Sequence, residues 1–361
     1  MQRSLFFQVL RYSVGISDEM LRGISSEDWE RIYETARQQS LLGIVFYGIQ
    51  RSPSEKPDRK LLLQWFSVCE RIRQANQKTN LAAVRLEEFF LEQGFRTCIL
   101  KGQGNSLYYP DPYIRTSGDI DIWVEGGTRK VLDLARRYVA DAKPCYHHIE
   151  FRKVDGVETE VHYRPSFMNN MLHNRRLQRW FKNMADEQFC HEVGLPDGAG
   201  KVCVPTAGFN RIYQMSHISN HFFHEGIGLR QIVDYYFVLQ QGFTEEERRK
   251  EELLLRKFGL YRMAAAVMYV LKDTLHLDDR FLLVPADERR GKFLLNEILL
   301  SGNFGQYDKR VRHSGSQLTR NIQRFKRDFR LMWYFPSECL WEPTFRLYHF
   351  FWRLYYQHCA T

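Results

Sequence analysis

Two aspartates separated by one residue stand in the run Arg115-Thr116-Ser117-Gly118-Asp119-Ile120-Asp121-Ile122-Trp123-Val124. In an extended strand, residues two apart project from the same face. Asp119 and Asp121 therefore share a side, while Ile120, Ile122 and Val124 can turn toward a core. Two carboxylates so close repel each other and resist joint ionisation unless a cation sits between them. Oxygen-only ligands favour a hard ion such as Mg²⁺, which binds readily alongside substrate phosphates.

A third carboxylate is available. His147 to Val154 and Val157 to Tyr163 are β-compatible segments joined by Asp155-Gly156, a hairpin signal because both central turn residues need positive φ. On the second arm Val157, Thr159, Val161 and Tyr163 share one face, and Glu158, Glu160 and His162 the other. Should this arm lie beside the aspartate strand, Glu160 would join Asp119 and Asp121 in holding one or two Mg²⁺ ions, with Mn²⁺ an acceptable substitute. Such a site suits phosphoryl or nucleotidyl transfer. His162, two residues beyond Glu160, would orient a ligand, contact substrate or make a structural hydrogen bond. Glu158 is expected to pair with Lys153 across the hairpin.

Lys101-Gly102 sits where a short apolar strand, Phe95 to Leu100, hands over to a helix. Free backbone N–H groups make such a junction receptive to phosphate, and Lys101 or Arg115 could neutralise its charge. Taken singly, an Asp-x-Asp pair is usually a solvated strand face and a Lys-Gly pair usually a turn. Their order gives them weight: strand, Lys-Gly, helix, loop with Arg, Asp-x-Asp strand, helix, hairpin with Glu.

Weaker signals surround this core. His217, His221 and His224 are close in sequence, but the pattern lacks a third zinc ligand type; bordering a cleft or sitting satisfied in a core is the simpler expectation. Arg230 and Asp234, four apart, form a helical ion pair or face the cleft, Arg230 toward phosphate and Asp234 as an acceptor. From Lys309 to Arg353 basic residues alternate with aromatics, among them Arg324, Lys326, Arg327, Arg330, Trp333, Trp341 and Trp352. RNA or an anionic membrane would suit such a stretch. The simpler expectation is helices that pack aromatic faces on a core and leave arginines in solvent.

The elements that must position these residues read as α+β. Residues 1–93 are a helical region: Asp28 to Ile44 carries apolar residues at helical spacing behind a Ser25 to Asp28 cap, Ser52 to Pro57 breaks the chain, and a long helix runs from Arg59 to Gln93. Residues 94–205 form a small mixed-sheet core, with a helix from Arg129 to Val139. Residues 206–361 are helical again. No repeat or low-complexity tract is visible.

With 44% hydrophobic and 14% aromatic residues in 361, the chain can bury a large core and is not a disordered protein. Its 52 Lys+Arg against 43 Asp+Glu give +9, which favours anionic partners without selecting one. The seven cysteines are scattered with no Cys-x-x-Cys, which argues against a disulfide framework or zinc module and points to a reducing cytoplasm. Gln8 and Arg11 interrupt the apolar stretch Ser4 to Val14, so a signal peptide is not expected. No apolar run is long enough for an integral membrane segment.

The run "ILKG…YYPDPYIRTSGDIDIWV" followed by "VETEVHYRP" resembles the uncharacterised bacterial nucleotidyltransferase family within the DNA polymerase β-like superfamily. "LEEFFLEQGFRTCILKG" and "NHFFHEGIGLRQIVDYYFVL" extend the likeness over most of the chain. The resemblance implies a small mixed sheet with flanking helices, and an enzyme that moves an NMP group from an NTP to an acceptor hydroxyl with release of pyrophosphate. It implies Asp119, Asp121 and Glu160 as catalytic and metal-binding residues, with Lys101-Gly102 in the place of the phosphate loop; Arg115, Ser117 and Gly118 are expected beside them about the nucleotide. His162, His221, Arg230 and Asp234 would border the cleft. The acceptor stays open between a small molecule, RNA and protein. One departure is plain: the superfamily's Gly-Ser loop is absent after the first strand, which keeps a catalytically degenerate nucleotide-binding or interaction scaffold as the alternative.

Overall fold

The computed structural model describes residues 2–17, 21–53, 56–310 and 317–358; Ser54 and Glu55 of the Ser52 to Pro57 break, and Cys359 among the seven cysteines, lie outside them. Four helices lead: α1 (Gln2–Ser13), α2 (Ser26–Gln38), α3 (Leu42–Arg51) and α4 (Arg59–Glu92). The stretch read as one helix from Asp28 to Ile44 is two. Ser40 takes a φ of 56° between them, a left-handed turn that ends α2 and redirects the chain. Ser25 caps α2 by accepting from the Asp28 N–H, and Asp58 caps α4. At 34 residues α4 spans about 51 Å.

The core follows: β1 (Thr97–Leu100), α5 (Gly102–Ser106), β2 (Ile120–Val124), α6 (Gly127–Arg136), β3 (His148–Glu150), β4 (Thr159–His162), α7 (Met171–Gln188), β5 (Glu192–Leu195) and β6 (Gly200–Cys203). Among the described residues, the helices that follow are α8 (Ala207–His224), α9 (Leu229–Leu239), α10 (Glu245–Lys257), α11 (Tyr261–Leu275), α12 (Glu288–Ser301), α13 (Gln317–Met332) and α14 (Pro336–His358). The protein is mixed α+β, largely helical, around a small mixed sheet.

That sheet has the order β1-β2-β4-β3. β1 and β2 are antiparallel, β2 and β4 parallel, β3 and β4 antiparallel. The parallel pair requires a crossover, and α6 supplies it. At the hairpin tip Asp155 and Gly156 have φ of 51° and 76°, as a two-residue turn of this kind demands. The paired strands are shorter than the sequence suggests because only three register pairs join β3 to β4.

Alternation along β2 divides the sheet's faces. Ile120, Ile122 and Val124 join Ile99 and Val161 in one buried cluster with α6 residues Val131 and Leu132. Trp123, on Asp121's side, packs in the larger helical core, its ring centroid 4.6 Å from Phe189 and 5.9 Å from Phe209. The same face thus carries a packing anchor at one end and carboxylates at the other.

Candidate active site

Sheet register brings the acidic residues together. Asp121 is the direct partner of Glu160 across the parallel β2–β4 pair, and His162 is the partner of Trp123. Cross-strand partners project to the same side, so Asp121 and Glu160 face one cavity. Asp119, in the loop before β2, is exposed at its edge. The cavity has a volume of about 530 Å³ and is lined by Lys101, Asp119, Asp121, Glu160 and His162, by histidines of α8, and by residues of α13 and α14.

Asp121 is the centre of the charge pattern. It is 5% exposed. Its Oδ2 lies 2.8 Å from Lys101 Nζ and its Oδ1 2.8 Å from His162 Nε2. Burial opposes the charged carboxylate, but Lys101 and His162 outweigh it and hold Asp121 well below the ordinary range. Burial likewise opposes a charged imidazole, yet the bonds to Asp121 and to Glu160, 3.4 Å away, push His162 up to about 9. His162 is therefore a protonated donor wedged between two carboxylates. For Glu160 burial is outweighed by the same His162 bond, and its carboxyl is lowered. Asp119 goes the other way: the neighbouring charge of Asp121, then partial desolvation, push it up to about 6.

The donor set fits a divalent cation. Asp121, Glu160 and, once its proton is displaced, His162 each offer a ligand atom, all within 4.8 Å of one another; His147, His148 and His162 form a second such group. Asp119 is not within either, so a metal held by both aspartates would draw Asp119 inward. His147 and His148 were not singled out in the sequence. Their signal was two adjacent imidazoles at the head of the hairpin's first arm, and burial lowers both, His148 to about 4.

The remaining expected residues divide. Lys101 leaves β1 with a φ of 51°, and its ammonium, 3.1 Å from His217 Nε2, faces the carboxylates rather than an open phosphate site. Gly102 and Gly118 line a small adjoining chamber of about 40 Å³, which shares Lys101, Asp119 and Asp121 with the main cavity. Ser117 is half-buried in the loop and lines neither. The helix after Gly102 ends at Ser106 rather than Tyr109.

Arg115 and Arg230 exchange the roles expected of them. Arg115 is buried, and its Nε and Nη2 donate to the two oxygens of Asp234 at 2.8 and 2.9 Å. Tyr109 Oη donates to the same carboxylate at 2.7 Å. Asp234 is therefore taken by Arg115, through Nε and Nη2, and not by Arg230 one turn away on α9; Arg115 also lines the small chamber. Arg230 donates through Nη1 to the Thr116 carbonyl at 2.9 Å, its buried Nε has no protein partner, and it lines the small chamber.

His217, His221 and His224 all line the main cavity. His221 pairs with Glu225 at 3.0 Å and His224 Nδ1 lies 2.8 Å from the Asn220 carbonyl. Among the described residues the three form no ligand group. Lys153 does pair with Glu158.

The C-terminal helices overturn the simpler expectation in part. Phe345 and Trp352 of α14 pack on the sheet's buried cluster. On α13, however, Phe325 and Phe329 are exposed while Arg324 and Arg327 line the cavity.

Residues 25–276 match the family described as uncharacterised nucleotidyltransferase. One solved structure, an antigenic nucleotidyltransferase-like protein from Paracoccidioides brasiliensis, aligns at 15% identity over 51% of this chain and 88% of that one, with a TM-score of 0.30. None of the curated proteins matches the chain. Among the described residues, no helix is long and apolar enough to cross a membrane.

Proposed function

The chain belongs to the family of uncharacterised nucleotidyltransferases, and from that premise we propose that it moves an NMP group from an NTP to an acceptor hydroxyl, with a divalent cation and release of pyrophosphate. One observation supports this most: Asp121 and Glu160 are register partners on adjacent parallel strands, on the cavity side that Asp119 borders.

Asp119, Asp121 and Glu160 would hold one or two Mg²⁺ ions, or Mn²⁺, with His162 steadying Asp121. When bound, the cation supplies charge stabilisation for the transferring phosphoryl group and the leaving pyrophosphate. Arg230, with the Gly102 and Gly118 backbone, is our assignment for the nucleotide's phosphates. The acceptor oxygen forms a bond to the α-phosphorus, the bond to the β-bridging oxygen breaks, and pyrophosphate leaves with that electron pair. Asp119, at the edge of the cavity, is our choice for the group that takes the hydroxyl proton. Most of the work is then positioning and electrostatics.

We divide the chain into a helical region (1–93), a nucleotidyltransferase core (94–205) and a C-terminal helical domain (206–361), whose helices complete the substrate wall. A cytoplasmic location fits the six described cysteines, all free thiols.

The reading is tested by incubating the protein with Mg²⁺, labelled NTPs and pooled metabolite, RNA and protein acceptors. Pyrophosphate release that Asp119→Ala abolishes supports it; undiminished release from that variant rejects the assignment. The scaffold reading is favoured by one observation, that both oxygens of Asp121 are already engaged by Lys101 and His162. Tight Mg²⁺-dependent NTP binding without turnover on any acceptor pool would select it.

A further inference from the structure

Helix α13 is inside out. Ile322, Phe325, Phe329 and, just past its end, Trp333 recur at spacings of three and four, which puts them on one side. They are 48, 68, 64 and 72% exposed. A helix of a globular protein ordinarily turns its apolar stripe to the core. Here Arg324 and Arg327 turn to the cavity instead, an orientation that gains nothing from apolar burial and that an anion in the cavity would favour.

The cavity continues beyond those arginines. Arg324, Arg346 and His349 also line an outer chamber of about 680 Å³, completed by Asn321, Phe350 and Arg353. None of the described residues lining that chamber is acidic. Arg346 has Glu342 as its ion-pair neighbour, at a loose 3.6 Å. One nitrogen of the shared wall, His349 Nε2, is buried with no hydrogen-bond partner, a cost that a ligand's acceptor oxygen would remove.

Volume decides which substrate goes where. The main cavity, about 530 Å³, lies in the ordinary range for one small ligand and suits one nucleotide. The chamber beside Gly102, about 40 Å³, holds a few atoms at most. A second substrate must come from the open outer side. Arginine forks recognise phosphate by paired N–H donors.

Building on the nucleotidyl-transfer reading, we propose that the outer chamber anchors the acceptor, and that the acceptor carries phosphate groups held by Arg324, Arg346 and Arg353 while its hydroxyl extends inward toward Asp119. The chain of two chambers suits an acceptor longer than a simple metabolite, the end of a single nucleic-acid strand, and a phosphorylated small molecule shares the chemistry.

Full-length protein is titrated with a short fluorescent single-stranded oligoribonucleotide, with glucose 6-phosphate as competitor in a second arm and labelled Mg²⁺-NTP in a third. The expected result is oligonucleotide binding that weakens about tenfold or more in Arg324→Glu/Arg353→Glu, as loss of charge-assisted bonds requires, with a shallower salt dependence. Displacement by glucose 6-phosphate assigns the chamber to a small phosphorylated acceptor, and failure to displace assigns it to a strand; either supports a phosphate-bearing acceptor. Oligonucleotide and sugar-phosphate binding that are both absent, or unchanged in the double variant, overturns the proposal. A greater loss of NTP than of oligonucleotide affinity also overturns it, since the chamber would then hold the nucleotide's own phosphates. Should NTP fail to bind the wild-type protein while the oligonucleotide still binds, the underlying nucleotidyl-transfer reading fails instead.

Discussion

Lys101 closes back on Asp121: the two side chains meet at 2.8 Å because Leu100 is the cross-strand partner of Asp121 and the next residue leaves the strand at a φ of 51°. The ammonium thus occupies one side of the carboxylate that a divalent cation would need. A divalent cation at Asp121 would compete with Lys101 and would release its ammonium from the carboxylate.

Lys101→Met should therefore bind Mn²⁺ more tightly, by about tenfold, because an opposing positive charge is removed from the ligand, while transfer slows. Calorimetric titration with Mn²⁺ reads the first effect and pyrophosphate release the second. Equal or weaker Mn²⁺ affinity in the variant would show that Lys101 does not guard the site.

The two aspartates should separate stability from activity. Asp119 is exposed and repelled by Asp121, so Asp119→Ala is expected to stay within about 0.5 kcal/mol of the parent in urea unfolding while losing transfer. Asp121→Ala removes the buried counter-charge that Lys101 and His162 share, leaving His162 with Glu160 alone, and should cost about 3–5 kcal/mol. Similar unfolding midpoints for the two variants would contradict this charge map.

Arg115 and Asp234 tie the loop that carries Asp119 to α9. Each single truncation, Arg115→Ala or Asp234→Ala, strands a buried charge and is expected to destabilise by about 3–5 kcal/mol. The double variant should lose less than the sum of the two, with a coupling of about 1–3 kcal/mol. A denaturant double-mutant cycle that sums without coupling would sink the assignment.

Glu338 sets a pH dependence away from the site. It is 5% exposed, its Oε2 accepts from the Asn169 N–H at 2.7 Å, and its Oε1 has no protein partner. Burial pushes it up to about 7 from 4.5. The folded chain thus holds a proton that the unfolded chain releases, and stability falls as pH rises from about 4.5 to 7. Glu338→Gln removes that penalty. The variant should match the parent near pH 4 and gain up to about 3 kcal/mol near pH 8, measured by urea unfolding at both values. A gain independent of pH would rule out ionisation of Glu338 as the cause.

What the sequence made legible followed from short-range geometry. The period-two alternation of Asp119 to Val124 gave the two faces of β2, and Asp155-Gly156 gave a turn with both φ positive. Contacts set by tertiary packing were out of reach. Nothing local says that Arg115 will meet Asp234 rather than leave that residue to Arg230, or that Lys101 will turn onto Asp121. Nor could the break at Ser40 be read, since the apolar spacing of α2 and α3 continues across it. The β5–β6 hairpin was missed because its strands, four residues each, are too short for a period to register. The inverted α13 defeated the reading for a different reason: amphipathic spacing shows that a helix has two sides, and not which of them turns inward.

Parallel pairing of β2 with β4 has a consequence for biogenesis. Asp121 and Glu160 become neighbours only after the intervening segment, α6 included, has been threaded across the sheet, a non-local closure that forms slowly compared with helices and hairpins. A nascent chain halted before Glu160 has emerged carries the aspartate pair without its third carboxylate. A cation site that needs all three carboxylates would therefore form only in the finished fold.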